Sequence, residues 1–126
     1  MHALIIDDSR AARAMVRRML ESVGFAVSEA TDGADARAQL EGGLLVDLLL
    51  VDWNMPVMDG LQLIKYVRSE RGDVDTPMVM VTSESDPKQI ARALMAGADE
   101  YMIKPIDTQM LVEKLGLIGM TPEGAG

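Results

Sequence analysis

Five polar residues stand where apolar runs end. Asp7 and Asp8 follow "ALII" (Ala3–Ile6), Asp52 follows "LLLV" (Leu48–Val51), Thr82 follows "MVMV" (Met78–Val81) and Lys104 follows "YMI" (Tyr101–Ile103). Three carboxylates within a few ångströms repel one another, and protonation or a cation must relieve that. The oxygen-rich set suits Mg²⁺, a hard cation that keeps several waters and pairs with phosphate. With Asp52 as nucleophile, a phosphoryl group can be accepted on its carboxylate. Mg²⁺, Lys104 and Thr82 would then neutralise and orient the phosphoryl oxygens. Each residue alone has a plainer reading. An aspartate at a strand end serves as a turn residue or helix cap. Asp7–Asp8 before Ser9 could be a doubled cap, Thr82 a β-branched strand residue, and Lys104 an exposed lysine. Their joint placement at the ends of successive runs favours a site.

The elements that must carry these groups are legible in the pattern. None of the four runs alternates polar and apolar residues, so each reads as a strand buried on both faces. "FAVSEA" (Phe25–Ala30) keeps polar positions and reads as a weaker strand nearer an edge. Between the strands lie helical patterns. Ser9 can cap the first helix. Ala12, Met15, Val16, Met19, Leu20 and Val23 then recur at helical spacing, and Gly24 can end it. "GADARAQLEGG" is a shorter second helix. "GLQLIKYVRSE" offers Leu61, Ile64 and Val67 as the face of a third. Asp86, Pro87 and Gly97 frame a fourth. Asp107 is the candidate cap of a fifth. Strand then helix, five times over, predicts an α/β fold with a doubly wound parallel five-stranded sheet, right-handed crossovers and helices on both faces. In such open sheets ligands bind beyond the carboxyl ends of the strands, where strand order reverses. Residues 1–118 are expected to form one domain, and 119–126 a short flexible tail.

Composition narrows the function. With 126 residues and 48% hydrophobic residues, the chain can build one core. Aromatics are scarce, and the 11 methionines are expected mainly to fill that core. A net charge of −8 argues against nucleic-acid or anionic-membrane binding. No cysteine is present, so thiolate chemistry is excluded. No secretory signal pattern and no apolar run of about 18 residues appear, so a cytoplasmic protein without membrane insertion is the expectation.

Four motifs carry a resemblance. "IIDDS" (Ile5–Ser9), "VDWNMPVMDG" (Val51–Gly60), "VMVTSES" (Val79–Ser85) and "AGADEYMIKPI" (Ala96–Ile106) together resemble the receiver domain of two-component response regulators. The match runs from Leu4 to about Ile118 and is nearest the single-domain chemotaxis type. The resemblance implies a flavodoxin-like sheet with strand order 2-1-3-4-5. It implies that Asp52 accepts a phosphoryl group from a histidine kinase or phosphotransfer protein, making the chain a phosphorylation-activated switch. It further implies that Asp8 binds Mg²⁺ directly, that Asp7 acts through coordinated water, and that Asp52 and the backbone carbonyl of Asn54 complete the shell. Thr82 and Lys104 would contact the phosphoryl group, with Lys104–Pro105 cis. Tyr101 takes the aromatic switch position, turning inward as Thr82 moves; by itself it would read as a strand aromatic on the sheet edge. Asn54 and Glu84 would tune dephosphorylation, and their pairing implies fast loss of phosphate. Trp53 is expected to cover a loop beside the acceptor and to report on it by fluorescence. Arg10, Arg13, Arg17 and Arg18 crowd the first helix, either as a solvated face or as a kinase-docking surface. Output is expected through the fourth helix, last strand and last helix to a protein target, from a molecule monomeric when unphosphorylated.

Other functions compete with this one. The chain could act as a phosphorelay intermediate or phosphate sink. A Mg²⁺-dependent phosphohydrolase with an aspartyl nucleophile would need an acid two residues after it, and Asn54 cannot serve. A flavodoxin-like cofactor binder lacks a glycine-rich phosphate loop after the first strand, where carboxylates would repel a phosphate.

Overall fold

The strands β1 (His2–Ile6), β2 (Ala26–Ala30), β3 (Leu48–Asp52), β4 (Met78–Thr82) and β5 (Glu100–Ile103) form one parallel sheet in the order β2-β1-β3-β4-β5. Helices α1 (Arg10–Ser22), α2 (Gly33–Glu41), α3 (Gly60–Lys65), α4 (Pro87–Ala96) and α5 (Thr108–Leu117) join them. The computed structural model describes residues 1–55, 57–83 and 86–120. This is the expected five-fold alternation and strand order. The order reverses between β1 and β3, so the ends of those strands flank the crevice where a ligand belongs.

The unalternating runs are explained by two apolar layers. Leu4, Ile6, Leu49, Val51, Met78 and Met80 face one core layer. Ala3, Ile5, Leu48, Leu50, Val79 and Val81, their neighbours along the same strands, face the other. Every residue of β3 and β4 is buried. β2 is an edge strand, as its polar positions predict. The expectation of burial on both faces fails for β5. Of "YMI" only Met102 is fully buried, because β5 is the opposite edge and has a neighbour on one side only. The methionines do fill gaps. Met78, Met80, Met102 and Met120 are buried, and Met19, Met55, Met58 and Met110 pack against the core. Met1, Met15 and Met95 are exposed.

Helix starts follow the sequence closely. Ser9, Asp59, Asp86 and Asp107 each accept a backbone N–H of their helix, and Asp32 does the same for α2. At Asp59 the bond is reciprocal, since Gln62 accepts from the Asp59 N–H at 3.0 Å. The third helix departs from expectation. After Lys65 the chain widens into a π-helical turn, Tyr66–Glu70, closed by Arg71 N–H to Tyr66 O at 2.8 Å. Along α3 and this turn Leu63, Ile64, Tyr66 and Val67 are buried and Leu61 only partly. Gly97 ends α4 at φ 127°, the left-handed side that favours glycine, against the aliphatic stem of Arg68. Arg68 reaches on to Gly97 O at 3.0 Å and to Asp99 at 2.9 Å. The π turn thus anchors the α4–β5 corner through Arg68.

The chain is still held past α5. Met120 donates its N–H to Leu115 O at 2.8 Å and is buried in the second core layer. Of the tail expected from Gly119 onward, residues 121–126 lie outside the described residues.

Candidate functional site

β1 and β3 end side by side, with Ile6 in register with Val51, so Asp7 and Asp52 leave the sheet as neighbours. One carboxylate oxygen from each of Asp7, Asp8 and Asp52 lies within 4.8 Å of the others. Asp7 and Asp52 are only 5% and 6% exposed, whereas Asp8 is open to solvent. β4 and β5 bring the remaining groups. Lys104 Nζ lies 3.3 Å from Asp7 Oδ2 and 3.6 Å from Asp52 Oδ1. Thr82, 1% exposed, ends β4, and its carbonyl accepts the Lys104 N–H at 2.7 Å. The Lys104–Pro105 peptide is cis, as expected. Sequence reasoning thus found all five groups at this sheet edge.

The electrostatics are unbalanced. Burial pushes the Asp52 carboxyl up to about 6, and the charge of Asp7 adds to it; Lys104 and the Asn54 N–H pull the other way without winning. Asp7 is engaged at every polar atom. Its N–H donates to Ala30 O at 3.1 Å, Oδ1 accepts from Ser9 N–H at 2.8 Å, and Oδ2 faces Lys104. Its carbonyl accepts from Arg13 Nη1 at 2.7 Å. This last contact was missed, because no local pattern shows an arginine on a helix face reaching back to a strand end. The donor set fits a small hard cation. It offers oxygen ligands only, with one ammonium among the described residues to offset three carboxylates.

The loop after β3 holds the acceptor end closely. Trp53 N–H donates to Val81 O at 3.0 Å, and Gly60 N–H to Trp53 O at 3.2 Å. A Cβ on Gly60 would stand 2.7 Å from Asp52 O, so only glycine lets α3 begin this near the site. Asn54 is exposed and donates its N–H to Asp52 Oδ1 at 3.4 Å. Trp53 is partly buried against the first core layer. In the same loop Val57 takes φ 67°, a region β-branched residues rarely enter.

Tyr101 is half-buried on β5, with Lys114 Nζ 4.4 Å from its ring centroid. Lys114 also pairs with Glu100 at 3.1 Å. Glu84 lies outside the described residues. The arginines of α1 divide. Arg10 and Arg18 are exposed, while Arg13 and Arg17 pair with Glu29 on β2 at 3.0 and 2.7 Å. Met15, expected in the core, instead lines an apolar hollow of about 380 Å³ beside Lys104, Pro105 and Ile106.

The family model described as the response regulator receiver domain matches residues 3–116. The chain therefore belongs to the receiver domain family of response regulators, the phosphorylation-activated signalling switches of two-component systems. Its relatives include a chemotaxis protein CheY homolog of Campylobacter jejuni, 39% identical over all of this chain and 98% of that one. Another is the chemotaxis protein CheY1 of Helicobacter pylori, 37% identical over 94% of this chain and 96% of that one. Among solved structures, the chemotaxis protein CheY4 of Vibrio cholerae superposes with a TM-score of 0.82 at 33% identity, covering 89% and 92% of the two chains. Receiver domains generally bind Mg²⁺ at an acidic pocket and interact with histidine kinases and downstream targets. They are signalling domains rather than enzymes turning over a metabolite. Among the described residues no helix is long and apolar enough to cross a membrane.

Proposed function

We propose that Asp52 is the phosphoacceptor and that the chain relays a histidine kinase's signal by protein contact, in a chemotaxis pathway. The observation that carries this is the triad of carboxylates beside Lys104, with Asp52 at the buried end. Asp52 Oδ attacks the phosphorus of a phosphohistidine. A P–O bond forms, the P–N bond breaks, and its electron pair returns to the protonated imidazole, which leaves neutral. Asp8, Asp52 and the Asn54 carbonyl would hold Mg²⁺, with Asp7 acting through water. When bound, the cation offsets the carboxylate charge and that of the phosphoryl oxygens. Asp7 keeps Lys104 near Asp52, where the ammonium meets one phosphoryl oxygen. The Thr82 hydroxyl takes another.

Thr82 then draws inward and Tyr101 follows, altering the surface of α4, β5 and α5 that the target reads. The working unit spans residues 1–118. Hydrolysis of the acyl phosphate by water resets it, at a rate tuned by Asn54 and Glu84. A phosphohydrolase finds no support, since Asn54 offers no acid.

The test follows Trp53 emission on adding Mg²⁺ and a small phosphodonor or beryllofluoride, in wild type and Asp52→Asn. A Mg²⁺-dependent change that the variant lacks is expected. No response in wild type overturns the phosphoacceptor reading.

A further inference from the structure

Arg13 differs from the other arginines of α1. Its side chain is only 12% exposed, against 36% for Arg17, and Arg10 and Arg18 face solvent. Its planar fork points two ways. Nη1 donates to Asp7 O at 2.7 Å and Nε to Glu29 Oε1 at 3.0 Å. Glu29 is itself fixed. It pairs in register with Ile5 of β1, and its other oxygen accepts from Arg17 Nε at 2.7 Å. Burial pushes the Glu29 carboxyl up, but the hydrogen bonds from Arg17 and Arg13 outweigh that and hold it below the ordinary range. Glu29 is therefore a charged, anchored post for Arg13.

We infer that Arg13 is a positioning residue that fixes the Asp7–Asp8 peptide plane and so aims the Asp8 carboxylate into the acidic cluster. The carbonyl of Asp7 and the amide of Asp8 share one rigid plane. A guanidinium bound at the carbonyl sets the tilt of that plane, and the tilt sets where Asp8 starts. Asp8 needs this because its exposed carboxylate makes no hydrogen bond among the described residues, while Asp7 is tied at each atom. The donor is charged and the contact partly buried, so the bond is strong and directional. A lysine carries the charge but lacks the fork that spans both acceptors. The inference rests on the reading of Asp8 as a cation ligand.

The test is a Mg²⁺ titration followed by Trp53 emission in wild type, Arg13→Met, Arg13→Lys and Arg17→Met. Loss of an outer partner of a metal ligand weakens binding roughly 10–100-fold, and that is expected for Arg13→Met. Arg13→Lys falls between it and wild type. Arg17→Met removes the same charge from Glu29 without touching Asp7, and binds within about twofold of wild type, well short of the loss of an outer partner. A second readout needs no metal. In EDTA the backbone amide resonances of Asp8 and Ser9 shift in Arg13→Met and stay in Arg17→Met. Equal effects of the two variants, or wild-type behaviour of Arg13→Met, overturn the inference. If those amides move as expected but wild type takes up no Mg²⁺, the cation reading fails and the positioning role stands. If Arg13→Met loses its fold by circular dichroism, Arg13→Lys carries the same comparison.

Discussion

Asp52 stands next to two other carboxylates at a nearly dry strand end, and its acidity records the conflict. Its folded pKa of about 6 lies above the ordinary 3.8, so the folded chain holds that proton more tightly than the unfolded chain. The stability this adds is fully present below about pH 3.8 and is lost as pH rises through 6. In EDTA, wild type is expected to lose of order 2 kcal/mol between those limits, and Asp52→Asn to lose little of it. Urea denaturation at steps from pH 4 to 8 measures this; equal pH profiles would refute it. Asp7, Asp8, Asp52, Thr82 and Lys104 were legible because each follows an apolar run, where a polar side chain has one direction to go. Arg13 was not. Among four arginines in one helix, only the packing distinguishes the one that turns back to Asp7.

Elements were legible to the extent that their signals are local. Ser9, Asp86 and Asp107 cap the helices they were expected to cap, since an N-cap bond spans only two or three residues. The π turn at Tyr66–Glu70 was not legible, because periodicity assumes an unbroken α-helix. That turn carries Arg68 to the end of α4, where Gly97 leaves room for it. Gly97→Ala is expected to destabilise the fold by at least about 2 kcal/mol, from the positive φ and from crowding of Arg68. Combining it with Arg68→Ala should cost less than the sum of the two singles. A urea double-mutant cycle reads both numbers, and strict additivity would remove Arg68 from the explanation.

For the whole molecule, the cluster of Asp7, Asp8 and Asp52 at one sheet edge couples site to stability. A ligand that binds the folded chain alone stabilises it by mass action. Mg²⁺ at about 100 times its Kd is expected to raise the unfolding free energy by about 2.7 kcal/mol, and Asp8→Asn to lose most of that gain. Thermal melts with and without Mg²⁺ check it; an equal gain in both proteins would place the cation elsewhere. The five-fold strand–helix alternation and the residues at strand ends were determined by the sequence itself, because burial on both faces of a parallel sheet leaves unalternating runs that stop where the sheet stops. The edge role of β5, the exposure of Met15 and the hold of Arg13 on Asp7 were decided only in three dimensions. Each depends on what another element, distant in the chain, supplies or withholds: a missing neighbour beyond β5, a gap beside Pro105, a glutamate on β2. Local pattern carries the propensity of a segment, but contact between segments decides which of its faces and which of its charges are used.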